Sequence, residues 1–480
     1  MDKASVSAGE RLAAIAREDP GRPALIVAGA RTTDTVITWA ELDEASADLA
    51  ERLRRRAFGT AAVVIDATNS ADTVIGFAAC MRAEVPFLPL DPLMPVAEAA
   101  RVLDTLARTH RPVRLEDAWG ERATHEPPAG ANSAAGYLLA TSGSSGSPRL
   151  IRHPRPLRHD PALVPNPMLR AVGWQHGQRQ LIAGPLHHAA PFMCCWEGLL
   201  DANTLVLLPR FDARAMLKAI DRHRIEWAQL TPTHMQWAAH ASGGQSTSFG
   251  SLRAIVHTAA PCPEALKRSW IDLVGPERLY EIYGATEAIG TTLLDGREWL
   301  AHPASVGRGF CTQLRILDEA GRSVPIGEEG EVFMRRPASG RDRGGHGLKR
   351  TVDGFLSVGD HGRLDRDGYL YLAPRRHDLV IVGGGNVYPA EVEAVIMEHP
   401  DVLDVAVVGL PDDLLGERLE AFVITVPGSM PTADQISAHA ESRLAPHKVP
   451  WSVRFVPELP RTPAGKLHRH RITEMEGSHG

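Results

Sequence analysis

The chain is short of the features that define several large protein classes. No apolar run approaches the ~20 residues that cross a bilayer, so no membrane-spanning helix is expected. The start, Met1-Asp2-Lys3-Ala4-Ser5, carries no apolar signal core, and a cytoplasmic protein is expected. Cysteine is scarce: Cys80, Cys194, Cys195, Cys262 and Cys311 are scattered without metal-ligand spacing. That argues against a zinc site and reads as reduced, mostly buried thiols. Positive charge is not in excess, and a formal net charge of -6 argues against a nucleic-acid partner. Two phosphate motifs are also missing. There is no G-x-x-x-x-G-K-[ST], which sets aside an ordinary P-loop NTPase, and no G-x-G-x-x-G after a strand, which sets aside a dinucleotide oxidoreductase.

What is present is ample core material. Hydrophobic residues make up 44% of the 480 residues, which removes global disorder and leaves room for about two to four domains. The most informative stretch is Tyr137 to Arg149, Y-L-L-A-T-S-G-S-S-G-S-P-R. Gly143 and Gly146 let backbone N–H groups approach an anion closely. Thr141, Ser142, Ser144 and Ser145 add donors, and Arg149 adds a fixed positive charge. This chemistry suits a polyphosphate and points to a nucleoside triphosphate. A flexible turn between two elements is the alternative.

The N-terminal part alternates helix and strand signals. Thr38 and Glu41 form a capping box, followed by Leu42, Ala45, Leu49 and Leu53 at helical spacing. Ala61 to Ile65 reads as a buried strand, Val74 to Met81 as a helix and Val85 to Leu90 as a strand. Thr204 to Leu208, Ala213 to His223, Ile225 to Leu230 and Ala254 to Thr258 continue the alternation. The pattern predicts an α/β protein with two βαβ-type subdomains and largely parallel sheets. After about residue 305, short strands predict a small β-rich subdomain. His110 to Ser133 and Gly340 to Gly347 are expected to be surface loops. From Leu379 a small α+β block follows, with Pro389 opening a helix and Thr432 capping another. The expected division is 1–375, a large domain, and 376–480, a small mobile one.

Further segments carry chemistry. Tyr283-Gly284-Ala285-Thr286-Glu287 packs an aromatic, a hydroxyl and a carboxylate into one turn after a strand. Gly359-Asp360 follows another strand. Arg375 precedes Gly383-Gly384-Gly385-Asn386, and Pro185-Leu186-His187-His188 introduces an apolar helix. Arg461-Thr462-Pro463-Ala464-Gly465-Lys466 places a lysine after a glycine turn. Together with Thr38-Trp39-x-Glu41-Leu42 and Pro89-Leu90-Asp91-Pro92, this ordered set resembles the adenylate-forming superfamily. That superfamily holds acyl-CoA synthetases, peptide-synthetase adenylation domains and firefly luciferase. His257 to Pro263 and Glu298 to Arg308 are similar to fatty-acid or bile-acid type CoA ligases.

The resemblance implies ATP-dependent activation of a carboxylic acid to an acyl-adenylate, with pyrophosphate released, then transfer to the thiol of coenzyme A. It implies that Thr141, Ser142, Gly143, Ser144, Ser145, Gly146 and Arg149 hold the β- and γ-phosphates. Thr286 would bond the α-phosphate and Glu287 would hold Mg2+. Lys466 would donate to both the substrate carboxylate and the α-phosphate. Tyr283 would stack on adenine opposite Ala259, Ala260 and Pro261. Asp360 would accept the ribose hydroxyls, and Arg375 would reach the ribose or phosphate. His188 would guard an acyl pocket shared with His234, Ala285, Ile289, Phe192 and Met193; a core role is its alternative, and His187 is read as having no function. Gly383, Gly384 and Gly385 would line a thiol tunnel, and His377 would be the hinge.

Three positions depart from the family pattern: Arg149 where lysine is usual, Pro374 where glycine is common, and His377 where aspartate or lysine is usual. The charge of Arg149 survives the change. The acceptor stays open among CoA, a carrier-protein phosphopantetheine and an amine. A non-catalytic binding protein on the same scaffold is the rival from another class. Which acid is used and the oligomeric state are not legible.

Overall fold

The structure is a computed structural model. It describes residues 5–29, 33–56, 61–119, 136–142, 148–153, 158–243, 249–336, 348–373, 379–412, 414–461, 467, 469 and 471–472. Among them no helix is long and apolar enough to cross a membrane.

The largest sheet has nine strands. Its centre is six parallel strands in the spatial order Leu279–Gly284, Ala254–His257, Trp227–Leu230, Arg179–Ile182, Thr204–Leu207 and Pro23–Val27. Antiparallel strands close both edges. A second sheet of five strands runs Arg111–Arg114, Ala61–Asp66, Phe87–Leu90, Tyr137–Ser142, Pro148–His153, with only the last antiparallel. The four central strands of the large sheet from Trp227–Leu230 to Pro23–Val27 are buried almost throughout, as parallel strands covered on both faces are.

Helices fill the space between these two sheets. Helix Trp39–Arg56 starts at the capping box: Thr38 N–H donates to Glu41 Oε2 at 2.8 Å, and Glu41 N–H to Thr38 Oγ1 at 3.2 Å. It buries Leu42, Leu49 and Leu53. Helix Ala71–Ala83 buries every residue from Thr73 to Met81, which explains a sequence apolar all round. One core unites these helices and Ala189–Leu200 with strands of both sheets.

Six strands between Gln313 and Leu372 form a sheet with antiparallel pairings. A final five-stranded sheet uses only residues 380–455: Gly385–Val387, Val380–Val382, Gly416–Thr425 and Val402–Asp412, with Ser452–Phe455 parallel to Gly416–Thr425. It has its own core around Val387, Ile396, Val407 and Ile436. The architecture is the α/β arrangement expected.

One reading needs correction. Arg111–Arg114, expected as loop, is an edge strand of the second sheet. Its single buried residue, Val113, gives no alternation to read. The strand Pro23–Val27 joins the nine-stranded sheet rather than the unit that follows it in sequence. The expected loop Gly340 to Gly347 lies outside the described residues.

Candidate active site

Strand Arg179–Ile182 is a switch point of the large sheet. The chain leaves it toward Thr204–Leu207 on one side, then returns past it to Trp227–Leu230 on the other. The following helices therefore pack on opposite faces. Ala189–Leu200 joins one core, and Ala213–Arg222, Pro232–Ser242 and Glu264–Val274 join another. A crevice beyond the carboxyl ends of the strands is where open α/β sheets bind ligands. Four segments open there: 183–188, 231–234, 258–261 and 285–288.

On one side of the crevice, the structure joins two motifs that are 77 residues apart. Tyr283 Oη donates to Asp360 Oδ2 at 2.7 Å. Asp360 is itself anchored, its carbonyl accepting from Val332 N–H at 2.8 Å. Gly359 makes the turn into it at φ +89. Ala259 takes φ +82 as the chain leaves strand Ala254–His257, leaving Ala259, Ala260 and Pro261 exposed beside the strand that carries Tyr283. A turn closed by Ala288 N–H to Ala285 O at 2.9 Å holds Thr286 and Glu287 at its centre.

Glu287 is half-buried, and among the described residues no cation pairs with it. An unpaired carboxylate beside a polyanion site is the oxygen ligand a hard divalent cation takes. His302, Asp365 and Asp367 also bring three ligand atoms together. There Asp365 already accepts from Asp367 N–H, Tyr369 N–H and Tyr371 Oη, so it serves as a turn cap.

On the other side, His188 occupies the N-cap position of helix Ala189–Leu200 without a side-chain capping hydrogen bond. Its ring lies 4.4 Å from that of His187, and His187 Nε2 is 3.7 Å from Asp91 Oδ2. Burial pulls the His187 pKa down while Asp91 opposes it. His187, read as functionless, therefore has a charged neighbour. Asn69 clamps this loop: its Nδ2 donates to Gly184 O and to Leu208 O, both at 3.0 Å, and its Oδ1 accepts from Leu186 N–H at 3.1 Å. A Cβ on Gly184 would stand 2.7 Å from Pro191 Cγ and 3.8 Å from His234 Cε1. The His188 loop and His234 are thus neighbours.

His234 stacks on Phe211 at 4.1 Å and accepts from Thr231 N–H, completing a capping box. Phe192 is wholly buried in an aromatic cluster with Phe77 and Phe87, which makes it core rather than pocket lining. Ile289 is drawn into the core of the β-rich subdomain beside Ile316 and Val332. Asn69 and Phe211 were not singled out from the sequence, and Asp91 was named only within the Pro89–Pro92 segment, with no role. Each acts across a gap in chain order that leaves no local signal.

Of the hydroxyl-rich stretch, Thr141 and Ser142 end strand Tyr137–Ser142, which pairs antiparallel with Pro148–His153 and sets Thr141 opposite an exposed Arg149. Gly143, Ser144, Ser145 and Gly146 lie outside the described residues, as do Arg375, His377 and Lys466. Gly383 and Gly384, at φ +55 and +82, form the two-residue turn of a hairpin, where both positions demand positive φ. A Cβ on Gly385 would stand 2.9 Å from the His447 ring.

Known proteins share this chain's sequence pattern and fold. The AMP-binding enzyme pattern matches residues 12–107 and 104–341, and that of the AMP-binding enzyme C-terminal domain matches 391–466. A feruloyl-CoA synthase of Amycolatopsis sp is 31% identical over 475 residues, spanning 92% of this chain and 94% of that protein. The o-succinylbenzoate CoA synthetase of Bacillus subtilis, solved in complex with its acyl-adenylate intermediate, is 25% identical with a TM-score of 0.73, covering 96% of this chain and 97% of that one. The same enzyme has been solved with ATP and magnesium ion. The amide bond synthetase McbA of Marinactinospora thermotolerans is 26% identical with a TM-score of 0.73, covering 98% and 99%. With both patterns matched in order across most of its length, the chain belongs to the AMP-binding enzyme family of adenylate-forming ligases.

Proposed function

We propose that this enzyme activates a carboxylic acid with ATP and passes the acyl group to coenzyme A. The Tyr283–Asp360 hydrogen bond carries the reading. It makes one polar wall from two motifs, beside the turn that holds Thr286 and Glu287. The aromatic face of Tyr283 and the Ala259–Pro261 loop would sandwich adenine. Asp360, a double acceptor, would take the ribose hydroxyls, with Arg375 reaching the ribose or phosphate.

The first step brings a carboxylate onto a polyanion, so like charges must be neutralised. The Thr141 to Arg149 segment would hold the β- and γ-phosphates, and Thr286 would donate to the α-phosphate. Glu287 would hold Mg2+, which when bound supplies charge neutralisation on the departing pyrophosphate. Lys466 would donate to the acid and the α-phosphate as charge shifts between them. Preorganised donors of this kind are the largest catalytic term in many enzymes.

Residues 1–375 would bind ATP and acid, and 376–480 would swing about His377. One orientation presents Lys466; the other presents Gly383, Gly384 and Gly385 to the pantetheine arm. His188, with His234 and Ala285, would border the acyl chain. Relatedness to a feruloyl-CoA synthase favours an acid of the aryl type and CoA as acceptor. The comparable likeness to an amide bond synthetase supports a second reading, in which an amine takes the acyl group. A carrier-protein phosphopantetheine is the third acceptor to test. We place the reaction in the cytoplasm.

The experiment is hydroxamate-trapped adenylation across a panel of carboxylic acids, with pyrophosphate release recorded. The best acid is then offered CoA, a phosphopantetheinylated carrier and amines. Pyrophosphate with some acid is the expected result; none with any acid overturns the reading.

A further inference from the structure

The residues flanking Lys466 are held on the C-terminal sheet by two guanidinium–carboxylate forks. Before the loop, Arg461 Nε donates to Asp404 Oδ2 and its Nη2 to Asp404 Oδ1, both at 2.7 Å; Nη2 also reaches Val405 O at 3.2 Å. Asp404 is almost wholly buried on strand Val402–Asp412. After the loop, Arg469 Nη1 donates to Glu393 Oε1 at 2.6 Å and Nη2 to Glu393 Oε2 at 3.0 Å, with Val407 O as a further acceptor. Glu393 belongs to helix Pro389–Met397 and also accepts from Val407 N–H at 2.8 Å.

The loop is closed at its base as well. Arg461 and Leu467 form an antiparallel bridge. Leu459 and Leu467 pack against the core of Ala406, Val408 and Phe422, where Ile472 is fully buried. Five residues, 462–466, therefore span two anchored ends. A fork fixes both the distance and the orientation of the chain that bears it, which a single point charge does not.

We propose that Arg461 and Arg469 are positioning residues for the adenylation step, acting through Lys466. This rests on the reading of Lys466 given above. Anchors at Arg461, Leu467 and Arg469 on either side would set how far Lys466 can stray from the sheet.

The test separates the half-reactions. Lys466 serves only the first, so loosening its anchors slows adenylation and spares transfer. Merely structural anchors would depress both. The key variant is R461M/D404L, because replacing a buried pair by apolar residues of similar volume leaves stability nearly unchanged. R461K keeps the charge and loses the fork.

Pyrophosphate release is followed with ATP and ferulate, or with the best panel acid if ferulate is not used. Transfer is followed with the matching preformed acyl-adenylate and CoA. We expect R461M/D404L to melt close to the unaltered enzyme and to form adenylate at least about tenfold more slowly, with transfer within about twofold. R461K and R469K should fall between. Equal loss in both half-reactions, or adenylation unchanged in the folded double variant, overturns the positioning role and leaves the function intact. No pyrophosphate from the unaltered enzyme with any acid overturns that function, and the positioning role falls with it.

Discussion

Side chains in the crevice and in the C-terminal unit are held in place by partners of very different reach. In the crevice, Tyr283 meets Asp360 across 77 residues, and Asn69 holds the His188 loop across 115 and 117 residues. In the C-terminal unit, the anchors of the Lys466 loop all lie between residues 393 and 472. The crevice exists only when two sheets and the β-rich subdomain have assembled around it. The C-terminal unit has a sheet and core built from its own residues, so it can carry its loops as one piece. A fixed cradle and a self-contained tool are what a two-step reaction at one place requires. Substitutions should therefore divide by half-reaction when they touch the tool and by ligand when they touch the cradle.

The sharpest break in that division comes from Lys466→Ala. Losing one preorganised donor costs about 10²–10³ in rate. Adenylation should fall by that much while transfer from supplied adenylate to CoA survives; undiminished adenylation would remove the tool from the scheme. His377→Pro tests the swing between orientations. Acid-dependent pyrophosphate exchange should stay within about threefold while thioester formation falls more than about tenfold, as expected for a hinge. Equal losses would argue against a pivot there.

Within the cradle, Asp360→Ala removes a charged acceptor. Hydrogen bonds to charged groups contribute about 1.5–3 kcal/mol, so the KM for ATP should rise about 10- to 150-fold with the KM for the acid little changed. Tyr283→Phe keeps the ring and removes the hydroxyl that donates to Asp360, for an expected rise of about 2- to 10-fold. If the two variants were equal, the ribose role of Asp360 would be lost.

The smallest effect concerns stability. His257 is wholly buried behind the crevice, its pKa held well below the ordinary 6.5 by burial and then by Lys267. A depressed histidine stays neutral when folded, whereas in the unfolded chain it gains a proton below about pH 6.5. Stability is thus fully present above that pH and is lost as pH falls toward the folded value. The slope reaches at most about 1.4 kcal/mol per pH unit. His257→Leu should flatten the fall in melting temperature between pH 7 and 5; an unchanged slope would assign the acid sensitivity to other groups.

Much of the helical framework was legible because its signals are local. The capping box at Thr38 and Glu41, the leucines behind it, and the proline opening helix Pro389–Met397 appear where the spacing predicts. Arg111–Arg114 was not legible, since an edge strand with one buried side chain has no alternation to detect. His187 was set aside because nothing near it in sequence reveals Asp91. Phe192 was placed in the pocket because an apolar residue after His188 reads alike whether it faces substrate or the cluster of Phe77 and Phe87. Arg461 sits in plain view beside the lysine motif, yet its partner Asp404 is 57 residues earlier.

By itself the sequence determined the chemistry on offer: a hydroxyl- and glycine-rich anion loop, an aromatic–hydroxyl–carboxylate turn, a lone aspartate after a glycine, and a terminal lysine. These depend on which groups each residue carries and on backbone freedom within a few positions. Which of them meet was decided only in the tertiary structure. Strand order brings distant loops to one crevice, and buried forks hold others still. Contact between residues a hundred positions apart depends on how the sheets pack, and no neighbouring residue encodes that.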